Sequence, residues 1–388
     1  TTQEGMNADP LLAWGHVDDG SRYAAQPMFL RPAGQFTTTA ADLAQFAKFL
    51  LSDGNVRGQP FVSAELMRAR GRVSGTQAAS NGLTAGYALG LGRRDRHGVV
   101  GYCHGGNIVG FVAMLCVFPE QGKAFAYAVN TDSETADYGR IQSVLIDALA
   151  VAQAEAPATV APAADIADWY GHYILSPNRF QAFEYLDTVF GGVRISRDAD
   201  ALVMTSLQAD PRHLRPVAQR TYSSHDRTTA SHVFFQDNTQ HYLFSDGFQT
   251  YEKVSLLFVI AHRASVAMGV AGFLWLFCSG VWSVVRTGHR MFATAQAPAF
   301  VALLLVFVPV PFFMTQSFMA LGDVTAASML LAIVTVLLPI GMLLTVVRAW
   351  RLLDASHWNA IHLAAALFSL QWCGVLIAAG MLPLRLWA

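Results

Sequence analysis

The sequence predicts an α+β region, a small all-β region and a four-helix transmembrane bundle, in that order along the chain. Three observations predict this. Residues 1–253 hold most of the charge, and from Val254 onward long apolar runs dominate. Four of those runs reach the ~20 consecutive apolar residues that cross a hydrocarbon core, and none contains Lys, Arg, Asp or Glu. Ahead of them, residues 1–153 alternate helix and strand signals, while 165–253 show short strand-like runs between turn residues. A length of 388 residues accommodates two or three such domains. The boundaries read as 1–153, a linker at 154–164, 165–253 and 254–388.

In the first region, Thr39-Ala-Ala-Asp42 has the form of a capping box. Leu43, Phe46, Ala47 and Leu50 then recur at helical spacing until Ser52-Asp53-Gly54 stops the run. A short helix is expected from Ser63, and a Gly/Ser-rich loop leads to Gly82. Strand-like runs follow at 86–92, 99–104, 110–118 and 124–130, with a turn at Pro119-Glu-Gln-Gly122. A helix at 138–153 closes the region. Of the four cysteines, Cys278 and Cys373 fall in apolar runs. A hairpin centred near Asn107 would set Cys103 opposite Phe111, so no disulfide with Cys116 is expected.

The run RPAGQFTTTAADLAQFAKFLLSDG at 31–54 and the run GYCHGGNIVGF at 101–111, followed by FPEQG and AVNT, resemble the serine β-lactamase-like hydrolases. That family includes class C β-lactamases, D-alanyl-D-alanine carboxypeptidases and esterases. The resemblance implies a partial transpeptidase-like domain, an antiparallel sheet with helices. It places His104-Gly105-Gly106 at the family's third motif, on the edge strand lining the cleft. Gly105 and Gly106 would bind substrate, Gly106 by letting its backbone lie close. The backbone N–H of Asn107 would supply half of an oxyanion hole. His104 would stand where other members place a cation, near a substrate carboxylate or the proton shuttle. The histidine brings the site nearer the esterase and D-amino-acid peptidase branches than true β-lactamases. Taken without its flanks, His-Gly-Gly would read as a hairpin turn.

The family's nucleophile sits in Ser-x-x-Lys, accompanied by a second motif, Tyr-x-Asn or Tyr-x-Ser; neither motif, at Ser or at Thr, is expected in this sequence. In the family both precede the segment that starts this sequence, so the expectation is the C-terminal part of a longer hydrolase, inactive alone. The sequence opens with neither a charged n-region nor an apolar h-region. An export signal is therefore expected upstream, or the region ahead of the first span stays inside.

Ala/Pro-rich residues 154–164 read as a linker. Trp169-Tyr170-Gly171 with Tyr173 resembles the opening of the barrel-like domain often attached to such hydrolases, read here as a spacer. His213, His225, His232 and His241 lie 12, 7 and 9 residues apart, unlike the close pairs of zinc sites, so no metal and no cofactor is expected. A net charge of −1 without like-charge blocks argues against nucleic acid as partner.

The spans read as about 264–285, 297–320, 325–347 and 361–382, with Pro309, Pro311 and Pro339 tolerated inside. Arg286 and Arg290 in the first loop, and Arg348 and Arg351 in the third, place those loops in the cytoplasm. The soluble regions then face the outer, periplasmic side of a bacterial inner membrane. Gln316 and Gln371, taken as the best candidates for functional polar groups in the spans, read as contacts between helices, and the bundle reads as an anchor. Partners are then the lipid bilayer and a small-molecule or peptide substrate of the cell envelope. The rival reading is a non-catalytic, membrane-tethered binding or sensing protein that reuses the fold.

Overall fold

A computed structural model describes residues 11–24, 37–178, 183–198, 201–316 and 320–387. Residues 31–36 of the first motif run and 317–319 of the second expected span lie outside the described residues. The chain forms two compact units, residues 1–177 with 192–254 and residues 178–191 with 255–388.

The first unit begins with β1 (Gly15–Val17), β2 (Arg22–Tyr23), α1 (Ala40–Leu50), the hairpin β3 (Asn55–Val56) and β4 (Gln59–Pro60), α2 (Ala64–Ala69) and α3 (Gln77–Ser80). Next come β5 (Gly86–Tyr87), β6 (Gly92–Arg96), β7 (Val99–Ile108), β8 (Phe111–Phe118), β9 (Lys123–Val129), β10 (Thr131–Asp132) and α4 (Tyr138–Ala148). Strands β5 to β9 form one antiparallel sheet in chain order. The expected run at 86–92 divides into β5 and the start of β6 because Gly90, at positive φ, turns the chain.

Successive side chains of β8 serve opposite faces of the sheet. Leu115 and Val117 pack with Ala47 and Leu50 of α1, whereas Cys116 and Phe118 pack with Ile146 of α4. Thr39 caps α1, accepting the Asp42 amide at 3.2 Å. Asp42 turns its carboxylate onto the Thr39 hydroxyl, so this cap lacks the reciprocal bond of a box. Phe46, counted in the apolar stripe, is half exposed.

The rest of the unit is a closed up-and-down barrel of β11 (Gly171–Leu175), β12 (Val193–Asp198), β13 (Ala201–Ser206), β14 (Arg212–Ala218), β15 (Thr221–Ser224), β16 (His232–Gln236), β17 (Tyr242–Ser245) and β18 (Thr250–Val254). Pairing of β11 with β18 closes it and removes both edges. Trp169, Tyr173, Ile195, Leu214, Tyr222, Phe234 and Phe244 fill the interior. Trp169 and Tyr173, the residues that suggested a barrel, are both core, with the Tyr173 hydroxyl donating to the Trp169 carbonyl at 2.7 Å.

The barrel packs directly on the sheet. Ala78, Leu83 and Ala85 share a core with Val233, Phe235 and Leu243. Asp95 of β6 is 1% exposed. Its carboxylate accepts Arg227 Nη1 at 3.2 Å, the Thr228 and Thr229 amides at 2.9 and 2.5 Å, and the Thr229 hydroxyl at 2.8 Å.

In the second unit, α5 (Glu184–Phe190) accompanies α6 (Leu256–Thr287), α7 (Ala297–Leu305), α8 (Val310–Thr315), α9 (Ala326–Arg351) and α10 (His357–Ala378). Among the described residues, four helical stretches are long and apolar enough to cross a membrane. Pro309 and Pro311, two residues apart, separate α7 from α8, whereas Pro339 stays within an unbroken α9. Small residues allow close approach: a Cβ on Gly272 would lie 2.4 Å from the Ala365 carbonyl. Gln371 joins two helices, accepting the Ser265 hydroxyl and donating to its carbonyl, each at 2.9 Å.

Two outcomes follow. Asp95→Ala leaves the Thr228 and Thr229 amides without their acceptor and Arg227 with only Asp226 and the residue-95 carbonyl; it should destabilise the first unit by about 3–5 kcal/mol, read by denaturant unfolding of the full chain in micelles. Burial holds the His232 imidazole down at about 4, while in the unfolded chain it titrates near 6.5. Protons then favour the unfolded state. This contribution is complete above about pH 6.5 and is lost as pH falls toward 4, on the order of 3 kcal/mol. Melting temperatures across that window should show the loss, and His232→Gln should flatten it.

Candidate active site

The site is built on β7. Pairing with β8 runs from Tyr102↔Val117 to Ile108↔Phe111, leaving Val109 and Gly110 as a two-residue turn. The turn therefore lies beyond Asn107, where the sequence had suggested its centre. Gly110 takes φ +81°, and a Cβ there would come within 2.7 Å of the Gly15 Cα, so glycine satisfies both the turn and the crossing of β1. This corrects the cysteine reading: Cys103 lies opposite Cys116, and the two form a disulfide. The signal was available, since both cysteines are equidistant from Val109-Gly110.

The strand is an edge along half its length, not all of it. β7 is third of five, but β6 pairs with it over Val99–Cys103 alone. Past Cys103 its outer side is unpaired by any described strand. The Cys103 and Cys116 Cα atoms are 4.1 Å apart, the spacing of a non-hydrogen-bonded pair. Alternation then turns the N–H and C=O of Gly105 and Asn107 away from β8, toward that open side. His104 and Gly106 direct their own backbone groups into the sheet.

The candidate residues share this edge. His104 is exposed, and its ring lies edge-on to Tyr87 at 6.3 Å. Tyr87 also meets Phe248, from the barrel's β17–β18 turn, at 5.8 Å, and the Arg94 guanidinium stands 5.6 Å from the Phe248 ring. The sequence reading missed Tyr87, Arg94 and Phe248, because sequence spacing carries no sign that a barrel turn reaches this strand. A Cβ on Gly105 would press on Met114 Cε at 3.0 Å, while one on Gly106 meets nothing within 4 Å. The fold itself thus leaves room for a side chain at Gly106.

Two out-of-order echoes of the missing motifs lie in the barrel. Thr250 has Lys253 three residues on, but both are on β18, where that spacing sends side chains to opposite faces. Lys253 Nζ instead donates to the Asp168 carbonyl at 2.5 Å. Tyr222-x-Ser224 lies on β15 with Tyr222 in the barrel core. The four barrel histidines are dispersed: His213 faces Asp198, His241 meets Glu252 at 3.0 Å, and His232 is buried against Ser231.

Residues 1–149 match the family model described as Beta-lactamase. The first segment therefore carries that family's signature, as its two motif runs imply. No curated protein matches the chain. Similar solved structures include SurE with D-Leu (17% identity, TM-score 0.36, 56% of this chain and 50% of that one). Another is SurE itself (19%, 0.38, 62% and 55%), and a third is the octameric penicillin-binding protein homologue from Pyrococcus abyssi (15%, 0.29, 65% and 55%). The chain spans about half the length of these structures.

The space over each glycine predicts opposite outcomes. Gly106→Ala should leave the melting temperature unchanged. Gly101→Ala, whose Cβ would meet the Phe118 ring at 2.6 Å, should cost about 1–3 kcal/mol. Thermal unfolding of the two variants checks both.

Proposed function

We propose that this chain supplies the third-motif wall of a membrane-anchored serine hydrolase that cleaves amide or ester bonds of D-amino-acid or cell-envelope compounds. The observation that carries the reading is the half-open edge of β7. It offers an N–H at Asn107 and a C=O and N–H at Gly105, beside a glycine whose missing side chain leaves space. An extended substrate would hydrogen-bond to that edge, and the Asn107 N–H would donate to the carbonyl oxygen as it gains negative charge. Such a donor lowers the barrier by about 3–4 kcal/mol. His104 would hold or pass a proton, or meet a substrate carboxylate. The acyl-forming serine belongs to a Ser-x-x-Lys element outside these residues, with its own N–H completing the hole.

The disulfide supports an outer, oxidising location for this region, in agreement with the arginines of the first and third inter-helix loops. The four apolar helices would then hold the hydrolase at the outer face of the inner membrane. The rival is a tethered binding or sensing protein that uses the same edge without chemistry, and loss of Ser-x-x-Lys from the complete protein would favour it.

The test is to express the complete protein from its full coding sequence and treat it with a fluorescent phosphonate probe. Labelling at a Ser-x-x-Lys serine, with His104→Ala slowing turnover of model esters, supports the enzyme. Gly106→Val should lower turnover while leaving the melting temperature unchanged. A complete protein that takes no label supports the binding reading.

A further inference from the structure

α6 is longer than a membrane requires. Its 32 residues extend about 48 Å at 1.5 Å per residue, against a hydrocarbon core of about 30 Å and a bilayer of about 40–45 Å with headgroups. The excess lies at its start, since the uncharged run begins at Ala264 and the helix at Leu256. Those two extra turns are nevertheless apolar on the outside: Leu257 is 74% exposed and Ile260 52%.

α5 is fixed beside them. Arg263 Nε donates to the Val189 carbonyl at 3.2 Å, and Trp372 Nε1 donates to the Tyr185 hydroxyl at 3.0 Å. Tyr185 and Val189, four residues apart, form its buried face. Glu184 and Asp187 form a polar face, and Leu186 and Phe190, again four apart, form a third face that is apolar and exposed. A helix with packed, polar and exposed apolar stripes at headgroup depth has the form of an interfacial helix.

We infer that α5 and the first two turns of α6 form a shelf that inserts Leu186, Phe190, Leu257 and Ile260 into the headgroup–acyl boundary of the bilayer. The occupant is lipid because the exposed stripe on α6 continues without interruption through Ala264 and Met268 into the span. This rests on the reading of α6 as a membrane span. The insertion between β11 and β12 is then a second membrane contact, independent of the spans.

The test uses the full chain with Cys278→Ala, reconstituted in phosphatidylethanolamine–phosphatidylglycerol vesicles. Leu186→Cys, Phe190→Cys and Leu257→Cys are each labelled with an environment-sensitive nitrobenzoxadiazole dye, and Leu274→Cys marks the middle of α6. Shelf labels should emit blue-shifted light, lose about half or more of it to shallow doxyl lipids and resist aqueous iodide. Shelf labels quenched by iodide and untouched by doxyl lipids, while Leu274→Cys is quenched by deep doxyl lipid, would overturn the shelf alone. A Leu274→Cys label that no doxyl lipid reaches would overturn the span reading and the shelf with it.

Discussion

The buried carboxylate of Asp95 organises the first unit. A carboxyl group this far from water needs hydrogen-bond donors around it, and a guanidinium, two amides and a hydroxyl supply them here. All four donors come from one barrel loop, so this side chain fixes that loop to β6. The next contact is backbone against backbone: a Cβ on Gly247 would lie 2.2 Å from the Ala85 carbonyl. Between them these contacts bring Phe248 against Tyr87, and hence beside His104. The aromatic border of the candidate cleft is thus a consequence of how the barrel is held.

The same geometry explains why the candidate edge is only half a strand. β6 is five residues long and starts at Gly92, where Phe248 packs close by. Continuing β6 past Gly92 would cover Gly105 and Asn107 and occupy the space of that ring. A short strand and a barrel aromatic therefore leave the second half of β7 unpaired by any described strand on that side, while the disulfide ties the paired half to β8.

Much of this was legible in the sequence for reasons that can be named. Candidate spans declare themselves by uncharged length, and the all-β region by short runs between Asp, Asn and Gly, whereas its barrel form came only from the resemblance carried by Trp169-Tyr170-Gly171 and Tyr173. The sheet was legible because β8 serves two cores with alternate residues, and the motif run marked β7. What stayed hidden depended on register and on distant partners. Placing the turn at Asn107 in place of Val109-Gly110 displaced the cysteine pairing and concealed the disulfide. Asp95 reads as an ordinary turn-flanking aspartate until Arg227 and Thr229 are brought to it from more than 130 residues away. The proline break between α7 and α8 was underestimated because two prolines two residues apart remove two donors within one turn, where Pro339 removes one.

An exposed strand edge is ordinarily a liability, since its unpaired N–H and C=O groups invite any extended chain to add to the sheet. Proteins guard such edges with charge, proline or bulk. The barrel here removes its edges by closing, yet the β7 edge is left with two glycines, an asparagine and a histidine. Nothing in the packing demands the bareness of Gly106, because the space above it is empty. Such a position has room for an approaching backbone. Both proposed readings need that room, and they differ in whether a serine would stand within reach of a carbonyl held against Asn107. In either reading the half-edge would do the recognising, and a nucleophile would decide whether recognition becomes hydrolysis.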